Sequence, residues 1–91
     1  MKRLAILLMA LPLLGMGWYD PTCCNNLDCE PIPFEAVEDT PKGYHVRYLA
    51  KRGFAVDVVV PYDKIKHSQD GRFHGCATPD RFLCLYVPKN V

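Results

Sequence analysis

Beyond residue 30 the hydrophobic positions recur at every second residue, the spacing that sends successive side chains to opposite faces of a β-strand. Tyr44, Val46 and Tyr48 share one face, with His45 and Arg47 on the other. Phe54, Val56, Val58 and Val60 form a second stripe, with Asp57 opposite. Between the stripes, Lys51-Arg52-Gly53 fits a three-residue hairpin loop in which Gly53 supplies the left-handed position. That loop sets a register in which paired residue numbers sum to 104, so Tyr48 faces Val56, Val46 faces Val58 and Tyr44 faces Val60. The same register places Arg47 opposite Asp57 on the wet face, where a cross-strand pair contributes roughly 0.2–1 kcal/mol.

Three further strands are predicted around this hairpin. Phe34 to Glu38 can pair back through the turn Asp39-Thr40-Pro41-Lys42-Gly43. Asp70-Gly71 is a turn leading into Arg72-Phe73-His74-Gly75-Cys76. Phe82-Leu83-Cys84-Leu85-Tyr86-Val87 is apolar on both faces and reads as a buried final strand ended by Pro88. No eleven-residue window beyond residue 17 carries a helical period, although Thr22 to Cys29 could form one short turn. The expected fold is therefore all-β: a small, mostly antiparallel curled sheet or open barrel of about five short strands.

The first seventeen residues read differently. Met1-Lys2-Arg3 is a positive start, Leu4 to Leu14 an apolar run, and Gly15 and Gly17 place small residues before Trp18. This is the pattern of a cleaved secretory signal peptide helix. The eleven-residue apolar run is short of the roughly 20 needed to span a bilayer, which argues against stable membrane insertion. The expected organisation is a signal peptide over 1–17 and one domain over 18–91, with a cysteine-rich head at 18–30 and the sheet at 31–91. Its destination is the periplasm or the medium.

Composition adds a constraint. The 74 residues from Trp18 onward hold all five cysteines, with nine basic against ten acidic residues. A core of that size is marginal without covalent help, and an exported chain meets an oxidising compartment, so disulfides are expected. Cys76 and Cys84 flank a short loop between two predicted strands and are expected to bond to each other. Cys29 is then expected to bond to Cys24 or Cys23, leaving one head cysteine over. A bridge from the head to Cys76 or Cys84 is the rival arrangement.

Candidate chemistry is sparse. His74-Gly75-Cys76 is the one close His/Cys pair, and a soft metal such as copper, or zinc, could use His74 and Cys76 with Cys84, His67 or a head cysteine. Oxidation of Cys76 would remove that ligand, so the metal-binding or thiol-redox alternative and the disulfide exclude each other. The simpler expectation is no cofactor, with His74 on the exposed face of a strand. A cysteine nucleophile with His45, His67 or His74 lacks room for a supporting scaffold, so no enzyme activity is expected. Scattered Lys51, Arg52, Lys64 and Lys66 give no basic patch for nucleic acid. Tyr44 and Tyr48 are expected to fill the core, whereas Trp18 and Tyr19, at the start of the processed chain, form the candidate binding surface.

Several pieces of the chain resemble a group of small, cysteine-rich exported proteins of bacteria and their phages. They are Trp18-Tyr19-Asp20-Pro21 with Cys23-Cys24 and Asp28-Cys29, Thr40-Pro41-Lys42-Gly43-Tyr44, Val60-Pro61-Tyr62-Asp63, Asp70-Gly71-Arg72-Phe73-His74 with Cys76, and Cys84-Leu85-Tyr86-Val87-Pro88. The resemblance implies export, a phage-encoded origin in some cases and a shared disulfide framework. It carries no activity with it. The functional expectation is an exported, non-catalytic binding or structural module of the cell envelope, whose partner is a protein or another envelope component.

Overall fold

The computed structural model describes residues 18–23 and 27–89. The segment 1–17, expected as a signal peptide helix, and Cys24, one of the two expected partners of Cys29, lie outside the described residues. Among the described residues no helix is long and apolar enough to cross a membrane.

The described residues are all-β, and seven strands among them replace the five expected: β1 (Cys29–Ile32), β2 (Val37–Thr40), β3 (Gly43–Leu49), β4 (Ala55–Val60), β5 (Lys66–His67), β6 (Phe73–Ala77) and β7 (Phe82–Val87). They form two sheets instead of one curled sheet or barrel, ordered β1-β6-β7-β5 and β2-β3-β4. Two strands escaped the sequence reading for local reasons. Pro31 interrupts the alternation in β1, which is possible because β1 is an edge strand and can do without one donor. β5 is only two residues long, and it pairs in parallel with β7 through Lys66–Tyr86 and His67–Val87.

The β3-β4 hairpin follows the predicted register throughout, from Tyr44 opposite Val60 to Leu49 opposite Ala55. The strand expected over Phe34 to Glu38 is shifted: Phe34–Ala36 forms a 3-10 turn that buries Ala36, and β2 runs on through Asp39 and Thr40, which pair with Tyr44 and Gly43. Gly53 adopts φ 98°, the left-handed geometry the loop demands. Gly43 starts β3 at φ 143°, where a side chain would run into the backbone of Val60 and Pro61. Between the two sheets lies the main core: Ile32, Phe73, Leu85 and Val87 from one, Tyr44, Val46 and Val60 from the other. Strands β4 and β7 are not hydrogen-bonded to each other, so the structure stays open along that seam.

The four-stranded sheet is buried on its second face too. Cys76 and Tyr86 point away from the main core and pack with Tyr19, Cys23 and Cys29 of the head, with Trp18, Leu83 and Cys84 against them. All five residues of β6 are buried as a result. A double-sided cover also accounts for the apolar character of both faces of β7.

Candidate functional site

The residues singled out from the sequence converge where the head crosses β6 and β7. Asp20 organises the crossing. Its Oδ1 accepts from the amide and hydroxyl of Thr22 at 2.9 and 2.8 Å, its carbonyl accepts from the Cys23 amide at 2.8 Å, and its own amide donates to the Tyr86 hydroxyl at 2.7 Å. Lys66 Nζ sits 3.2 Å from its second oxygen, tying the head to β5. These bonds, the Thr22 amide first and Thr22 hydroxyl next, hold the Asp20 carboxyl below the ordinary value.

Tyr19 and Trp18 are thereby laid on His74. His74 has no exposed surface, whereas an outward-facing strand position was expected. The reason is the head, which covers the face that the polarity of the residue suggested was wet. The imidazole Nε2 lies 2.8 and 3.0 Å from the two oxygens of Asp70, and Nδ1 lies 2.7 Å from the Tyr19 hydroxyl. A carboxylate only accepts, so Nε2 carries the proton; the lone pair of the neutral ring is then on Nδ1 and accepts from the Tyr19 O–H. Trp18 stands edge-on to the imidazole, ring centroids 4.9 Å apart at 90°, and to Tyr86 at 5.1 Å and 88°.

Burial, with the Asp70 charge next, pushes the Tyr19 phenol up to about 12. Burial also works to raise the Asp70 carboxyl, but hydrogen bonds from His74 and the Arg72 amide, with the Arg72 charge, outweigh it and leave Asp70 below the ordinary value. The result is a chain of phenol, imidazole and carboxylate with the middle member sealed from solvent. It resembles an acid–base relay in composition, yet no substrate atom can reach either ring nitrogen without displacing Tyr19 or Asp70. In this arrangement it acts as a clasp.

Two disulfides lie beside the clasp, and both follow the rival arrangement, head to sheet, in place of the expected Cys76–Cys84 bond. Cys76 bonds to Cys29, and Cys84 bonds to Cys23. Cys76 and Cys84 are indeed direct partners across β6 and β7, but the ladder already closes that loop. Cys29 faces Cys76 from the other side with Cα atoms 4.0 Å apart, so β1, β6 and β7 present a row of three cysteines. The central one takes Cys29, and Cys23 reaches the last. Loops of 47 and 61 residues are closed in place of a short one. In the chain-entropy picture each, taken alone, restricts the unfolded chain by roughly 4 kcal/mol, against roughly 2.5 for the short loop.

Three expectations change accordingly. Cys29 bonds to neither Cys23 nor Cys24. The metal alternative loses the Cys76 thiolate to a disulfide, and both nitrogens of His74 are hydrogen-bonded within the protein. Tyr19 is 6% exposed and belongs to the interior instead of an open surface, whereas Trp18 is half-buried. Asp70 and Tyr86 were missed as members of this cluster. The Asp70-Gly71 turn drew attention as backbone punctuation, although its spacing to His74 brings a carboxylate back onto the first strand residues. Tyr86 lies two residues from Cys84 and must share its face.

On the outer face of the meander, His45 Nε2 lies 2.7 Å from Asp57 Oδ1, and Nδ1 lies 4.0 Å from Glu38 Oε1. Asp57 thus takes His45 where Arg47 was expected, although Arg47 and Asp57 do oppose each other in register. Set against protein-family models, curated proteins and solved structures, the chain matches none.

Proposed function

We propose that this protein is an exported, non-catalytic binding or structural module of the cell envelope, in which the cysteine-rich head is a fastened layer of the fold. One observation carries the reading: both nitrogens of His74 and all four described cysteines are engaged inside the protein, where they tie the head to β6 and β7. Side chains committed in this way hold a small β scaffold together and are withdrawn from chemistry on a substrate. Long-range disulfides are at home in an oxidising compartment, which supports a periplasmic or secreted location.

The test is to express the full chain in a bacterium, fractionate the cells, and measure intact mass with thiol alkylation before and after reduction. Recovery from the periplasm or medium, with a mass beginning at Trp18, four oxidised cysteines and one alkylated thiol, is the expected result. Reduced protein in the cytoplasm carrying stoichiometric copper or zinc would overturn it and return His74 and Cys76 to a metal role.

A further inference from the structure

We propose that the cavity beside the connection between β5 and β6 binds the oxyanion of a phosphate-bearing ligand. This site stands whether or not the chain is exported. The cavity has a volume of about 560 Å³ and is lined by His67, Ser68, Gln69, Gly71 and Lys89. That size lies within the roughly 300–1,000 Å³ typical of small-ligand sites. The strand pairing explains how residues so far apart in sequence meet. β5 runs parallel to β7 with His67 opposite Val87, and the Ser68 amide donates to the Val87 carbonyl at 2.9 Å. The chain leaving β7 then delivers Lys89 to the same side.

The wall is made of donors. It offers an imidazole, an ammonium and a carboxamide, and none of these described wall residues is acidic. The one acid of the loop, Asp70, sends its carboxylate to His74 Nε2 and to the Arg72 amide at 3.1 Å, so its charge is answered elsewhere. Neither His67 nor Lys89 is held by a carboxylate among the described residues. The amides of Gln69 and Gly71 likewise make no hydrogen bond there. Separate donors, with lysine as a point charge, suit a tetrahedral phosphate; planar carboxylates favour the bidentate arginine fork that this wall lacks.

A phosphate group can come from a soluble phosphorylated molecule or from a phospholipid headgroup. The experiment is an amide-resolved NMR titration of the full chain with inorganic phosphate at constant ionic strength, using chloride as the control. Saturable shifts at Gln69 and Gly71 are expected, weakened about tenfold or more in a His67→Gln/Lys89→Gln variant, as befits loss of charge-assisted donors. Lys89→Arg should restore them. Both replaced side chains are exposed, so the variant should give an otherwise unchanged spectrum. The proposal is overturned if no saturable shift is seen up to roughly 20 mM, where even a millimolar site would fill. It is equally overturned if the double variant binds as well as the native chain. Co-sedimentation with phosphatidylglycerol vesicles that phosphate competes away would assign a lipid headgroup. Phosphate binding without vesicle binding would assign a soluble ligand.

Discussion

Tyr48 carries its hydroxyl into the space between the two sheets, where it is buried and finds no hydrogen-bond partner in the protein. Burial, with the Glu30 charge adding to it, drives the phenol well above the usual tyrosine range. The hydroxyl lies over Gly75: a Cβ at that position would stand 2.5 Å from Tyr48 Oη, 2.9 Å from Cζ and 3.0 Å from Cε1. Two opposite effects follow. Tyr48→Phe removes an unsatisfied buried group whose desolvation costs about 1–3 kcal/mol, and leaves only a small void, so a net stabilisation of about 1 kcal/mol is expected. Gly75→Ala overpacks the same spot and should destabilise by about 1–3 kcal/mol. In the double variant the nearest clash is gone and the remaining ring contacts need a shift of a few tenths of an ångström. The substitutions should therefore couple favourably by about 1–2 kcal/mol. Urea denaturation of the native chain, both single variants and the double variant, compared at constant m, measures the cycle. The reasoning is refuted if Tyr48→Phe destabilises by 1 kcal/mol or more, which would mean the hydroxyl is hydrogen-bonded, or if the cycle is additive.

Three further outcomes are expected. Tyr19→Phe should lower stability at neutral pH by about 1–3 kcal/mol, because it leaves His74 Nδ1 buried without a donor. The Tyr19 phenol is raised from 10 to about 12, so its contribution is complete below pH 10 and fades toward pH 12; the gap between native and variant in alkaline urea titrations should narrow over that window. Asp70 is lowered from its ordinary 3.8, so its contribution is present above that pH and lost as pH falls below it. Asp70→Asn should be less stable than the native chain at pH 7, and acid unfolding curves followed by circular dichroism should converge below pH 4. Replacing Cys29 and Cys76 together by alanine should cost about 3 kcal/mol, less than the isolated loop would suggest because the Cys23–Cys84 bond still encloses it, with thermal unfolding as the measurement.

What the sequence showed clearly was whatever depends on near neighbours. The hairpin of β3 and β4 was legible down to its register because turn chemistry, apolar matching and charge placement all act within a dozen residues. The disulfides were not, because the row Cys29, Cys76 and Cys84 exists only after β1 is placed at the edge of β6, and nothing local to Cys29-Glu30-Pro31-Ile32 announces a strand. His74 was misplaced for a related reason. Neighbouring strand residues such as Phe73 and His74 point to opposite faces, but which face is wet is decided by what covers it. The apolar run of β7 already hinted at cover on both sides; the hint was read for β7 and not carried across to its partner.

A covered second face changes what the head can do. Trp18, Tyr19 and Tyr86 supply the aromatic packing that a second hydrophobic layer would, and two disulfides with the Tyr19–His74–Asp70 clasp fix it in place. A partner would have to strip this layer from β6 and β7 to reach the buried rings of Tyr19 and Tyr86. Loss of partner capture in a Tyr19 variant would then report detachment of the head and not a lost contact. The side chains that the fold leaves outward are elsewhere. On the outer face of the meander, Leu49 and Val59 are 72% and 50% exposed and stand among His45, Arg47 and Asp57, where cross-strand geometry and not burial sets their positions. Substitutions at these outward positions should leave thermal stability within about 0.5 kcal/mol of the native chain, whereas substitutions in the head should lower it.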